Sequence, residues 1–197
     1  AVQAALGSAV PVIDVIAPVV AEVTRRGFQT VGVIGTRATI QSGVYRQAIQ
    51  AASAPNPMEV REWATPLLAP LIEEGWHGHE LMEPVIQAYF QSAGWLDGEG
   101  ALEALIPGCT HYPLAKDALV SVLGPRVHWI DGPELVASEV KRRLQALDLL
   151  NDPGGDAAGP QRDGHRFDVS DLTPSFVASA ERFFGTNLNL ARNPLWD

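Results

Sequence analysis

Short strand-like runs and helical stretches alternate along this chain, and that alternation is the strongest constraint on its fold. The runs lie at residues 10–16 (VPVIDVI), 29–34 (QTVGVI), 59–63 (EVREW), 101–107 (ALEALIP), 126–130 (RVHWI) and 166–170 (RFDVS). The runs at 10–16 and 101–107 are apolar enough to be parallel strands buried on both faces. The stretches between them carry helix signals. Residues 17–26 open on Ala17-Pro18 and stop at Gly27; residues 39–52 have Thr39 as N-cap; residues 65–74 start at Thr65-Pro66 and end before Gly75. Further helices are expected at 80–90, 116–123 and 134–150, and after Thr173-Pro174 as far as Gly185. The long one carries Leu135, Val136, Val140, Leu144 and Leu147 on one face. The expectation is an α/β fold of parallel sheets flanked by helices.

The chain has 197 residues, 46% of them hydrophobic, enough for one large core or two small ones. A net charge of −9 argues against nucleic acid or an anionic membrane surface as the main partner. One cysteine excludes an internal disulfide framework and suits a reducing compartment. No apolar run approaches a membrane span and no signal peptide is visible, so a soluble cytoplasmic protein is expected. AVQAAL reads as a helix already under way, closed by Gly7-Ser8, so residues are expected upstream of Ala1. Residues 151–164 (NDPGGDAAGPQRDG) read as a loop or linker, and residues 186–197, including Trp196, show no periodicity.

Chemistry concentrates at residues 108–114, Gly-Cys-Thr-His-Tyr-Pro-Leu, between an expected strand and an expected helix. Pro113 suits a first helical turn, which puts Thr110 or His111 near the N-cap, beside free backbone N–H groups. There the Cys109 thiol can be pulled below its free pKa of about 8.5, further so by a nearby imidazolium, and His111 could carry a proton to or from a substrate. Thr110 could hold a carboxylate. The alternative is that Cys109 is a small buried hydrophobe and His111 a core or cap residue. Thr36 and Thr39, in the turn after residues 29–34, can point into the crevice at the strand ends or simply cap the helix. Glu73 and Glu74 end the helix before Gly75; Asp14 is expected to cap or hydrogen-bond at a strand end. His77 and His79 lie in a Gly-rich turn without a third ligand, so no metal site is expected.

The heptad around Cys109 resembles the second catalytic-cysteine motif of glutamate racemases. His111 favours glutamate over aspartate, because related aspartate racemases usually carry an acidic residue there. The run VGVIGTRATIQSGVY resembles that family's stretch of substrate-contacting threonines, and agreement extends from Ala1 to about Gly185. The resemblance implies interconversion of L- and D-glutamate by thiol and thiolate proton transfer, with no pyridoxal phosphate and no metal, supplying D-glutamate for peptidoglycan. Cys109, His111 and Glu73 (Glu74 in the alternative register) would be catalytic, and Thr36, Thr39 and Thr110 would bind substrate.

It also implies two similar α/β domains with the ligand between them. Residues 20–126 would form the second, and residues 1–19 and 127–197 would be parts of the first, whose N-terminal part lies upstream of Ala1. The partner implied is small-molecule glutamate, with a homodimer open. The family's first catalytic cysteine and its Asp-Ser-Gly and Pro-Tyr-Gly loops do not occur in this sequence, so the chain by itself is expected to bind glutamate poorly and not to racemise it. Two other readings stay open: a cysteine-nucleophile amidase or hydrolase using Cys109 and His111, and a non-catalytic racemase-like binding domain.

Overall fold

The computed structural model describes residues 5, 7, 11–96, 101–150, 166–185 and 188–194. The chain divides into two compact units, Ala1–Leu149 and Leu150–Asp197.

In the first unit a parallel sheet of four strands runs in the order β2-β1-β3-β4: β1 Thr30–Gly35, β2 Glu59–Ala64, β3 Ala104–Pro107 and β4 His128–Trp129. Val31 stands between Val60 and Ala104, and Ile34 between Trp63 and Pro107. Each crossover carries helix, as parallel neighbours require. The helices are α1 Ala17–Arg26, α2 Arg37–Ser42, α3 Val44–Ala52, α4 Leu68–Glu73, α5 Met82–Ser92, α6 Lys116–Leu123 and α7 Gly132–Ala146. Two apolar layers cover the sheet. Val19, Val20, Val23 and Ile49 pack with Val31 and Val33. Leu68, Ile72, Ile86, Phe90 and Leu119 pack with Ile34 and Leu105. The side chains of β1 therefore feed both layers, which is why its sequence is apolar at consecutive positions.

The structure corrects several expectations. Residues 11–16 form no strand; Asp14 Oδ1 accepts the amides of Ile16 and Ala17 at 2.8 and 2.7 Å, a turn that starts α1. The helix expected at 39–52 is broken at Gly43, whose φ of 61° terminates α2 before α3 begins, and the N-cap is Thr36 rather than Thr39. Thr65-Pro66 is not helical, because Thr65 is buried in hydrogen bonds to other elements and α4 begins only at Leu68. Other elements stand near their expected positions, and α6 has the expected limits.

In the second unit β5 Arg166–Val169 pairs in parallel with β6 Asn189–Arg192, joined through α8 Pro174–Phe184. Thr173 caps α8 by accepting the Phe176 amide at 3.2 Å. Strand β6 lies where no periodicity was visible: it has four residues, too few to display a repeat. The expected features at residues 1–4, 151–164 and Trp196 lie outside the described residues.

Candidate active site

Three strand ends converge at the site. The β3 chain leaves the sheet at Pro107, and the Gly108 amide donates to the Ile34 carbonyl at 2.7 Å, so the Cys109 turn is tied to the end of β1. Gly108 is required by space: a Cβ there would lie 2.9 Å from the Ile34 carbonyl oxygen and 3.2 Å from the Tyr45 ring. It would also lie 3.5 Å from the Thr39 methyl, so the Thr36–Thr39 turn and the cysteine turn are direct neighbours. A 3₁₀ turn, Tyr112–Ala115, follows with Pro113 in its first turn and leads into α6.

Cys109 Sγ lies 3.6 Å from His111 Nδ1, and His111 Nε2 lies 2.9 Å from Glu73 Oε1. The Glu73 carboxylate accepts from Nε2–H, which leaves Nδ1 facing the sulfur as the atom that takes or returns its proton. Helix α4 delivers Glu73 from its last turn. The His111 side chain is 26% exposed and that of Glu73 55%, so solvent screens the pair and its role is to orient rather than to stabilise the fold.

Burial pushes the Cys109 thiol above its ordinary value. A hydrogen bond from the His111 backbone pulls the other way, and the Glu73 charge adds to the rise. This reverses the expected depression. The helix start does not dominate, because the sulfur is half-buried against the Leu105–Leu119 layer with a carboxylate nearby.

Thr36 Oγ1 accepts the Thr39 amide at 3.3 Å and lies 3.0 Å from Thr39 Oγ1. Two hydroxyls hold two protons; their mutual bond uses one, and the other remains to donate outward. Thr110 is exposed and, with Cys109, lines a cleft of about 390 Å³ whose other walls include Tyr45, Val15 and Val136. His111, Glu73, Thr36 and Thr39 do not line that cleft. The sulfur thus has the cleft on one side and the imidazole on the other.

Two residues of the site carried no signal of their role in the sequence. Tyr45 is buried, and burial raises its phenol, with the Asp14 and Cys109 charges adding to the rise. It is the last residue of the VGVIGTRATIQSGVY run, but only the tertiary contact with Gly108 reveals its place. Thr65, expected to start a helix, is instead buried beneath the site. Of the two glutamates, the structure brings Glu73 rather than Glu74 to His111. The His79 ring stacks on Trp76 at 4.9 Å and its Nδ1 accepts the Leu81 amide. Among the described residues, no group of three or more His, Cys, Asp or Glu side chains is arranged to hold a metal ion.

Known proteins match this chain in sequence and in fold. The family model for Asp/Glu/hydantoin racemases matches residues 1–140. A glutamate racemase of Geobacter metallireducens is 36% identical over 183 residues, covering 91% of this chain and 62% of the relative. One from Thermus thermophilus is 43% identical over 145 residues, covering 74% of this chain and 50% of the relative. The chain therefore spans between half and two thirds of these curated relatives. Among solved structures, the Francisella tularensis glutamate racemase in complex with D-glutamate superposes with a TM-score of 0.81 at 33% identity, covering 98% of this chain and 67% of that one. The Thermus thermophilus glutamate racemase in complex with beta-chloro-D-alanine gives 0.76 at 35%, covering 98% and 66%. On this match of sequence and fold, the chain belongs to the Asp/Glu/hydantoin racemase family.

Proposed function

We propose that this chain carries one wall of the active site of a cofactor-independent glutamate racemase, contributing Cys109 as the group that removes or delivers the α-proton on one face of glutamate. The observation that carries this reading is the Glu73–His111–Cys109 relay at the edge of the cleft. The glutamate racemases among its relatives and structural neighbours support it.

In the L-to-D direction, His111 Nδ1 accepts the thiol proton, and the thiolate takes the α-proton, leaving the C–H electron pair on the α-carbon. The imidazolium formed is held by Glu73. Racemisation needs a second acid/base group on the opposite face, because one sulfur reaches only one face. The carbanionic intermediate is stabilised by preorganised donors, and Thr110 with the outward hydroxyl of the Thr36–Thr39 pair supplies candidates for the substrate carboxylates.

The same reading assigns residues 20–126 to one α/β domain and residues 1–19 and 127–197 to parts of a second. It also carries a cytoplasmic setting, a role in supplying D-glutamate to peptidoglycan, and a homodimer, for which sedimentation velocity is the test.

The decisive experiment incubates glutamate in D2O with the product of the complete reading frame. Deuterium should appear at the α-carbon and its incorporation from the L-isomer should vanish in Cys109→Ala. Undiminished exchange in that variant, or none in the unaltered protein, overturns the proposal.

A further inference from the structure

Beneath the site, the fully buried Tyr112 makes a contact that the proton-transfer scheme does not use. Its hydroxyl lies 2.7 Å from Thr65 Oγ1 and donates to the Thr65 carbonyl at 3.2 Å. Both residues are 0% exposed, and Thr65 is the one buried polar residue among the described residues. Tyr112 follows β3 and Thr65 follows β2, and in the sheet β1 stands between those strands. The phenol therefore reaches across the end of β1.

What it reaches is a junction. The Thr65 amide donates to the Gly35 carbonyl at 2.9 Å, directly before Thr36. The Thr65 carbonyl also accepts the Leu68 amide at 3.1 Å, at the start of α4, the helix that carries Glu73. The hydroxyl pair thus fastens the Cys109–His111 turn to Thr65, whose backbone is bonded to the residue before Thr36 and to the start of the helix bearing Glu73. A phenylalanine would fill the same volume against Ile34 and Leu68 but could not fasten the Cys109–His111 turn to the other two segments. Burial holds the phenol neutral, pushing it up to about 12, so it remains a donor at working pH.

We propose that Tyr112 and Thr65 are positioning residues that set Glu73 against His111 and hold Cys109 half-buried. This rests on the assigned roles of Glu73, His111 and Cys109, but its test does not need turnover. The reporter is the alkylation rate of Cys109 by iodoacetamide as a function of pH, read on this chain, in which the target is the only cysteine. Loosening the clamp admits water to the sulfur and moves the Glu73 charge away, and both changes lower the thiol's midpoint.

Tyr112→Phe should therefore alkylate at least threefold faster at pH 8 than the unaltered chain, with its midpoint shifted toward the free-thiol value. Thr65→Val should do the same, and Thr65→Ser, which keeps the hydroxyl, should restore the original profile. The double change Tyr112→Phe with Thr65→Val should exceed neither single change. Circular dichroism confirms that each protein compared is folded, and if Tyr112→Phe fails to fold the Thr65 pair carries the test. A folded Tyr112→Phe or Thr65→Val with the original pH profile, or Thr65→Ser as altered as Thr65→Val, overturns the proposal. Should glutamate exchange fail while these shifts appear, the racemase reading falls and the clamp stands.

Discussion

Cys109 works between two opposing influences: burial and Glu73 favour the thiol, while the His111 backbone hydrogen bond favours the thiolate. The balance predicts that alkylation of the sole cysteine rises with a midpoint above the usual value of about 8.5. Glu73→Gln removes the negative charge and should lower that midpoint; an unchanged or higher midpoint would contradict the arrangement. Gly108 is constrained by space rather than by φ. Ala in its place would drive a Cβ against the Ile34 carbonyl at 2.9 Å, a backbone atom with nowhere to go. Gly108→Ala should cost about 1–3 kcal/mol in chemical denaturation, because overpacking is relieved only by moving the strand end.

Among the elements, the pairing of α3 with β2 depends on an ion pair with unequal exposure. Arg46 donates to Glu62 at 2.7 Å, with the Glu62 side chain only 3% exposed and that of Arg46 48%. The second carboxylate oxygen of Glu62 is buried without a hydrogen-bond partner. Removing Arg46 would leave a mostly buried carboxylate without its partner, so Arg46→Met should destabilise by about 1–3 kcal/mol, and adding Glu62→Leu should recover most of that loss. A double-mutant cycle in denaturant checks both. The α2 cap is smaller in effect: Thr36→Ala removes the acceptor for the Thr39 amide and should cost about 1 kcal/mol, while also weakening any carboxylate held at that turn.

For the whole molecule, titration narrows the stable range from both sides. Cys109 and Tyr112 have folded values raised above their unfolded ones, Tyr112 to about 12. Their contribution is complete below the unfolded values and is lost as pH rises through the folded ones, so stability should decline from about pH 9 toward 12. Glu22 moves the other way: hydrogen bonds from Arg25 and Arg26 lower it from 4.5 to about 2. Its contribution is present above 4.5 and is lost as pH falls toward 2. Denaturation midpoints across pH should form a plateau with both shoulders, and a midpoint still rising above pH 10 would contradict the burial of these two groups.

Periodicity and punctuation were enough to announce alternating strands and helices, the limits of α6 and the cap of α8, because these depend on neighbours a few residues apart. The Cys-Thr-His cluster was legible for the same reason: its chemistry lies within one turn. The break at Gly43 was hidden, since a glycine inside a helical pattern signals an end only when its φ is known. No local rule places Tyr112 against Thr65, 47 residues away, or Glu73 against His111. The direction of the Cys109 shift likewise went unread, because burial and the distance to a carboxylate are properties of packing. Local backbone preference chose the elements; convergence of three strand ends chose which side chains meet.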